Sequence, residues 1–237
     1  MTMKLILFDV DGTLVDSQHM ICAAMTQAYA AQGLVCPAPE AVRAIIGLSL
    51  PHAFQQLSLG QDHPIDGLVA AYKDTFSTMR AAGVWKAALY PGAAAALATL
   101  RQREDVVLGI ATGKSRRGVA AMVEQHGWDD IFVTVQTSDT SPSKPHPDMV
   151  LSAMRETGVT PENTVMIGDT AFDMQMGRAA GANAIGVAWG YHPVADLHDA
   201  GAHAVVDDFA ALDPALTRLW SETSVASSSA KARADHA

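Results

Sequence analysis

The sequence predicts an α/β protein, with a Rossmann-like parallel sheet as its core and a small helical cap domain inserted after the first strand. From residue 88 onward, short apolar runs alternate with helical segments, which is typical of a parallel sheet with helices on its faces. Between residues 16 and 87, apolar residues recur only at helical spacing. We therefore expect the core at residues 1–15 and 88–220, the cap at 16–87 and a disordered, polar tail at 221–237.

The first strand and the cap helices have recognisable boundaries. An apolar run, Leu5 to Phe8, predicts a buried strand. A first cap helix follows Ser17, a plausible N-cap, and a later one is opened by Pro64 and closed by Gly83. The residues that share one face of these two helices are Ile21, Met25 and Ala28 in the first and Leu68, Tyr72, Phe76 and Met79 in the second.

The rest of the core reads as alternating strands and helices beyond Tyr90, Pro91 and Gly92. Glycines follow the helical segments, as expected at helix ends. In chain order we predict a strand at Val106 to Ala111, a helix at Ser115 to His126, a strand at Ile131 to Val135, a helix after Pro147, a strand at Thr164 to Ile167, a helix at Phe172 to Ala180 and a strand at Ala184 to Val187.

Composition narrows the function classes. The 237 residues, 49% of them hydrophobic, are enough for one large domain or for a domain with a smaller one attached. A net charge of -9 opposes nucleic-acid binding. No apolar run is long enough to cross a bilayer and no signal-peptide pattern is present, so we expect a cytoplasmic protein without a membrane partner. Cys22 and Cys36 lie outside any metal-ligand pattern, and we expect ordinary reduced thiols.

The turn after the first strand carries paired carboxylates. Asp9 and Asp11 follow Phe8 directly, and Gly12 with Thr13 ends the strand in a sharp turn. Side chains two residues apart point to one side of an extended segment. Two carboxylates in one place form a seat for a hard cation such as Mg²⁺ and offer a nucleophile beside a proton carrier. Alone, an Asp-x-Asp-Gly turn is as often structural as functional.

Further polar groups follow the other predicted strands. Thr112 and Gly113 follow the second, Asp169 and Asp173 follow the fourth, and Lys144 lies in the loop after the third. Ligands of open parallel sheets bind beyond the carboxyl ends of the strands, so these groups should converge on Asp9 and Asp11.

These stretches resemble, in order, the motifs of the haloacid dehalogenase-like superfamily. F-D-V-D-G-T-L-V-D-S resembles the first motif almost letter for letter, Thr112 the second, Lys144 with its following prolines the third, and G-D-T-x-x-D at Gly168 to Asp173 the fourth. The resemblance extends from Met3 to about Leu212, and the helical insertion is similar to the family's small cap. It implies a phosphatase that depends on Mg²⁺ and forms an aspartyl-phosphate.

The resemblance assigns a role to each motif residue. Asp9 is expected to be the nucleophile and Asp11 the general acid and base, an identity that favours phosphoester chemistry over dehalogenation. Metal ligands are expected from Asp9, Asp169 and the backbone carbonyl of Asp11, with Asp173 bonded to metal waters or to Lys144. The groups expected to hold the phosphate are the Thr112 hydroxyl, the Gly113 amide and the Lys144 ammonium.

The substrate is less well defined by sequence. The stretches W-G-Y-H-P, L-Y-P-G and G-L-S-L-P look most like phosphoglycolate phosphatases, which makes 2-phosphoglycolate the leading candidate among small phosphorylated metabolites. Nucleotide, pyrophosphate and sugar phosphatases are alternatives, a mutase similar to beta-phosphoglucomutase ranks lower, and a catalytically silent binding protein is the non-enzyme alternative. Monomer and homodimer both remain open. The cap candidates for contacting a carboxylate are Gly47, Ser49, Lys73 and Arg80.

Several residues near the motifs have weaker signals. Lys114, Arg116 and Arg117 form a small basic cluster that either lines the phosphate approach or is a solvated helix start. We expect His146 and His192 to be surface residues and Thr13 to do no more than hold the turn. Trp189 and Tyr191 either pack in the core, which we favour, or form a wall of the pocket.

Overall fold

A six-stranded parallel sheet forms the centre of the computed structural model, which describes residues 2–83 and 88–221. The strands lie in the order β5-β4-β1-β6-β7-β8, and every neighbouring pair is parallel. Their bounds are β1 Lys4–Phe8, β4 Val106–Thr112, β5 Phe132–Thr137, β6 Thr164–Gly168, β7 Asn183–Val187 and β8 Ala204–Val206. This confirms the predicted α/β class.

Helices cover both faces of the sheet, because the central strands are apolar on both sides. One buried cluster centres on Phe8 and Ile110, and another centres on Leu7 and Met166. The helices are α5 Ala93–Arg101, α6 Arg116–His126, α7 Asp148–Thr157, α8 Ala171–Ala179, α9 Val194–Asp199 and α10 at residues 212–221, with 3₁₀ turns at Pro161–Asn163 and Phe209–Ala211.

The insertion after β1 has its own apolar core, in which Tyr29, Phe54 and Leu68 are fully buried. Its helices are α1 Gln18–Ala31, α2 Pro39–Arg43, α3 Leu50–Leu57 and α4 Ile65–Ala81. A two-stranded antiparallel ribbon, β2 Val15–Asp16 and β3 Ala88–Leu89, lies where the chain leaves the sheet and where it returns. This organisation agrees with the predicted helical cap.

The predicted ends of the strands and helices agree with the observed ones within one or two residues. Pro64 directly precedes α4, and Gly127, at φ +65°, caps α6. Ser17 precedes α1 as predicted, but its side chain makes no capping hydrogen bond. The short strands β2, β3 and β8 have no counterpart in the sequence prediction. Most of the predicted tail lies outside the described residues, and its first residue, Ser221, belongs to α10 instead of a disordered segment.

Candidate active site

The polar segments predicted to converge lie at the carboxyl edge of the sheet. Asp9 follows β1, whose neighbours are β4, ending at Thr112, and β6, which leads into Asp169. Adjacent parallel strands bring their carboxyl ends together, so these three positions become neighbours. Lys144, from the loop between β5 and α7, reaches the same place through its side chain.

Three buried carboxylates and a buried ammonium form the centre of the site. Asp9, Asp169 and Asp173 each offer an oxygen within 4.8 Å of the others. The Lys144 ammonium lies 3.0 Å from Asp9 Oδ1 and 2.6 Å from Asp173 Oδ1. Because each of these side chains is at most 1% exposed, bulk water screens their charges poorly.

Asp169 is held in a pocket made by small residues. The Thr13 hydroxyl donates to Asp169 Oδ1 at 2.9 Å, and the Tyr191 backbone N–H donates to Oδ2 at 2.9 Å. A Cβ atom on Gly12 or Gly190 would come within 2.2 and 2.0 Å of Asp169, so only glycine fits at either position. Thr13 thus contacts a predicted metal ligand, and the expectation that it only holds the turn was wrong.

Asp173 forms hydrogen bonds both at the start of α8 and with the Lys144 ammonium. It forms a capping box with Thr170 at the start of α8, and its Oδ2 accepts from the Thr170 backbone N–H at 3.1 Å and from the Thr170 hydroxyl at 2.7 Å. The other oxygen accepts from Lys144. The expected contact between Asp173 and Lys144 is therefore present. Gly168 leaves room for this carboxylate, since a Cβ there would lie 2.2 Å from Asp173 Cγ.

The charges of this cluster do not balance. Burial raises the pKa of Asp9 to about 6, partly offset by Lys144, while the neighbouring Asp173 raises it further. Burial, with Asp173 and Asp9 nearby, holds the pKa of Asp169 well above its ordinary value. Like charges in a low-dielectric site repel strongly. When all three carboxylates are ionised, Lys144 compensates one of them, and the remaining charge matches that of a divalent cation.

The carboxylate of Asp9 is under-coordinated. Both oxygens are buried, and among the described residues neither receives a hydrogen bond of good geometry, although the Lys144 ammonium forms an ion pair with Oδ1 at 3.0 Å. Buried polar atoms are normally satisfied, so these oxygens fit a bound cation. The oxygen-only donor set of Asp9 and Asp169 suits a hard ion such as Mg²⁺.

Asp11 has partners of its own beside the cluster. Its two oxygens each accept from the Lys114 ammonium at 2.8 Å, and Oδ1 also accepts from the Ser17 hydroxyl at 2.6 Å. The Lys114 ammonium lies 5.4 Å above the Phe76 ring of α4. Lys114 also lines the cavity above the site, which agrees with the first of its two predicted alternatives, but its pairing with the candidate acid was not predicted. Arg116 and Arg117 are exposed, and Arg117 hydrogen-bonds Ser77 of α4.

The cap lies directly over the sheet edge. The backbone carbonyl oxygens of Gly47 and Leu48 would be 2.3 and 2.7 Å from a Cβ on Gly113, so this position must be glycine for the cap loop to approach. The Ser49 N–H donates to the Ser143 hydroxyl at 2.9 Å, and His192 Nε2 lies 3.2 Å from the Ala44 carbonyl oxygen. These contacts hold the cap loop onto the core.

A cavity of about 240 Å³ separates the cap from the site. Asp9, Asp11, Thr112 and Gly113 line its core side. All four predicted cap candidates, Gly47, Ser49, Lys73 and Arg80, line it too. Lys144 and Asp169 are fully buried behind this surface, where they act on Asp9 rather than on the cavity.

Several contributors have little sequence signal. Ser17, Gly190 and the Tyr191 backbone support the carboxylates through contacts between distant parts of the chain. The W-G-Y-H-P stretch contains the last two, but it was used only as a resemblance to phosphoglycolate phosphatases and did not predict these contacts. His146 is exposed, as expected, and its Nδ1 accepts from the Asp148 N–H at 3.2 Å. Trp189 packs in the core and donates to the Thr13 carbonyl oxygen at 3.0 Å.

Comparisons with known proteins identify relatives of this chain. The profile of the family described as "haloacid dehalogenase-like hydrolase" matches residues 6–187. The probable phosphatase IndB of Dickeya dadantii is 36% identical, covering 86% of this chain and 90% of the relative. The phosphoglycolate phosphatase of Pseudomonas putida is 31% identical, covering 89% and 79%.

Solved structures show the same architecture. A hydrolase from Pseudomonas syringae superposes with a TM-score of 0.80 at 26% identity, covering 92% of this chain and 99% of that one. CbbY from Rhodobacter sphaeroides, solved in complex with phosphate, superposes with a TM-score of 0.75 at 26% identity, covering 89% and 96%. Within the described residues, no helix is long and apolar enough to span a membrane. The extent of these matches and the order of the motifs show that the chain belongs to the haloacid dehalogenase-like hydrolase family.

Proposed function

We propose that this hydrolase is a Mg²⁺-dependent phosphatase that cleaves a small phosphomonoester through an aspartyl-phosphate on Asp9. One observation supports this above the others: the under-coordinated carboxylate of Asp9 lines the cavity and lies among Asp169, Asp173 and Lys144. A carboxylate placed this way is a nucleophile with a charged, water-poor environment behind it.

The first half-reaction transfers the phosphoryl group to the enzyme. An Asp9 oxygen forms a bond to phosphorus while the bond from phosphorus to the ester oxygen breaks. Asp11 gives a proton to the departing oxygen, which leaves as an alcohol. Thr112 and the Gly113 amide, both at the cavity, are placed to hold phosphate oxygens, and Lys144 neutralises charge from behind.

The second half-reaction restores the enzyme. The oxygen of a water molecule bonds to phosphorus, the Asp9–phosphorus bond breaks, and inorganic phosphate forms. Asp11 takes the proton that this water loses, so its proton returns after each cycle. Lys114 and Ser17 fix the position of Asp11 beside the cavity between these steps.

The residues that would hold Mg²⁺ are Asp9, Asp169 and the backbone carbonyl of Asp11, with Asp173 contributing through a water. Bound there, Mg²⁺ would supply positive charge that reduces repulsion between a carboxylate nucleophile and an anionic phosphate. Thr13 and the Tyr191 N–H orient the Asp169 oxygens for this task.

The names of the relatives support 2-phosphoglycolate as the first substrate to test, with Lys73 and Arg80 of α4 as its carboxylate partners. Nucleotides, pyrophosphate and sugar phosphates are the alternatives, followed by a sugar phosphomutase activity. A silent binding protein is disfavoured because Asp9, Lys144 and Asp169 are all present and assembled. The cytoplasmic location and the absence of a nucleic-acid partner stay predictions from composition.

Phosphate release from a substrate panel tests the proposal. The panel contains 2-phosphoglycolate, pyrophosphate, nucleotides, glucose 1-phosphate and an aryl phosphate, each with Mg²⁺ or with a chelator. We expect turnover only with the metal, and none from Asp9→Asn in either condition. Undiminished turnover by Asp9→Asn would refute covalent catalysis at this residue, and interconversion of glucose 1-phosphate and glucose 6-phosphate without phosphate release would support the mutase.

A further inference from the structure

The cavity between cap and core is too open to be a packing defect. Protein interiors contain few voids larger than a water molecule, whereas this space measures about 240 Å³. Empty space against apolar walls is unfavourable, because the wall atoms lose dispersion contacts. A space of this kind persists where it serves as a preformed ligand site.

Its surface on the cap side contains an apolar part, beside polar and charged residues such as Ser49, Lys73 and Arg80. We call the apolar part the cap wall, and its six members come from three helices: Ile21 and Met25 of α1, Leu50 and Ala53 of α3, and Tyr72 and Phe76 of α4. The rings of Tyr72 and Phe76 are stacked, with centroids 5.7 Å apart and planes 23° from parallel. Among the described residues, four cations line the same cavity beside this wall: Lys73 and Arg117 are exposed to solvent, Arg80 is partly buried, and Lys114 pairs with Asp11.

A glycolate leaving group does not match this wall. It has two carbons and a carboxylate, for which Lys73 and Arg80 in the same lining are the proposed partners, so it would leave most of the cap wall uncovered. An apolar group of about the size of one ring would instead displace water from the wall, and burying apolar surface is favourable at about 25 cal/mol per Å².

We infer that the cap wall is a subsite for an apolar or aromatic part of the leaving alcohol, so that the enzyme also hydrolyses phosphomonoesters whose leaving group is larger and less polar than glycolate. This inference rests on the proposed phosphatase function and adds a substrate class to it. The phosphate would lie against Asp9 and Thr112, and the apolar part would contact Tyr72 and Phe76 across the cavity.

Steady-state hydrolysis of benzyl phosphate and methyl phosphate tests the subsite. Both are esters of simple alcohols, so the comparison isolates the apolar part. We expect kcat/KM for benzyl phosphate to exceed that for methyl phosphate by at least about 10-fold, since even one methylene in an apolar pocket is worth about that much. Phe76→Ala and Leu50→Ala, on two different helices, should each reduce this ratio several-fold.

Val69→Ala is the matched control. Val69 lies on α4 and packs against the same apolar core, but it does not line the cavity. It should leave the ratio unchanged. A structural effect of Phe76→Ala, including one through Lys114 and Asp11, would lower the rates with both esters equally.

The outcomes separate the two proposals. Equal kcat/KM for both esters in an enzyme whose turnover requires Asp9 would overturn the subsite and leave the phosphatase standing. Absence of all hydrolysis would overturn the phosphatase proposal. In that case the affinities of the two esters for Asp9→Asn, measured by calorimetry, test the subsite. Tighter binding of benzyl phosphate that is lost with Phe76→Ala supports it, and equal binding refutes it.

Discussion

Replacing Asp9 with Asn should abolish catalysis and yet stabilise the metal-free protein. The carboxylate of Asp9 is 1% exposed, and although the amide would lose the ion pair with the Lys144 ammonium, 3.0 Å from Oδ1, the cost of burying the charge exceeds that attraction. Its pKa lies at about 6 instead of 3.8, mainly because of burial. At about 1.36 kcal/mol per pKa unit, that difference corresponds to about 3 kcal/mol.

The direction of this change in stability follows from the linkage between protonation of Asp9 and folding. A carboxyl group whose folded pKa is raised favours the folded state while protonated, and this contribution is lost as pH rises from about 3.8 through about 6. At pH 8 ionised Asp9 therefore destabilises the metal-free fold, and Asp9→Asn removes the unfavourable free energy of this buried charge. The variant should melt higher than the unsubstituted chain by up to about 6 to 12 °C, at about 2 to 4 °C per kcal/mol for a domain of this size.

Differential scanning calorimetry at pH 8 measures the stability of the metal-free proteins in chelator and their stabilisation by Mg²⁺. A divalent ion at 100 times its Kd should stabilise the unsubstituted chain by about 2.7 kcal/mol. This would remove most of the difference in melting temperature between the two proteins, because Mg²⁺ should stabilise Asp9→Asn only weakly. A variant that melts below the unsubstituted chain in chelator would refute the electrostatic argument. An equal response to Mg²⁺ in both proteins would remove Asp9 from the ligand set.

Other substitutions test the remaining parts of the site. Asp11→Asn should lower kcat by about 10² to 10⁴ and slow breakdown of the phosphoenzyme, as measured by acid quench, and an unaltered rate would remove its role as acid and base. Lys144→Met should destabilise the fold by about 3 to 5 kcal/mol in urea unfolding at pH 8, because it leaves buried carboxylates uncompensated, whereas a loss below about 1 kcal/mol would contradict a paired, buried ammonium. Gly190→Ala should weaken Mg²⁺ activation in titrations, since its Cβ would lie 2.0 Å from Asp169 Cβ, and an unchanged titration would show that Asp169 has room to move.

The candidate site was predictable to the extent that it follows strand ends. Asp9, Thr112 and Asp169 each stand immediately beside or at the end of an apolar run that reads as a strand. Parallel strands gather whatever follows them, so the identity of the converging residues is readable from local patterns. Lys144 required the resemblance to the family, because its loop position alone says little.

The supporting contacts could not be predicted in the same way. Lys114 and Asp11 are separated by 103 residues, and Thr13 and Asp169 by 156, so no local pattern marks either pair. In the sequence, Lys114 is an ordinary basic residue before a helix. Only the folded structure places it beside Asp11 in the turn after β1. The Tyr191 contact uses a backbone N–H, which every residue except proline offers, and so carries no signal at all.

The amino-acid order alone determined the five longer strands of the sheet, which segment forms the helical insertion, and which acidic, hydroxyl and amino groups stand at the strand ends. These properties depend on hydrophobic period and turn chemistry, and both are local. Tertiary packing decided that one lysine pairs with Asp11 and another with Asp9, and that an apolar wall lines part of the cap side of the cavity. Such features depend on how distant helices and loops pack, because pairing between buried charges and the shape of a void exist only after the elements are assembled.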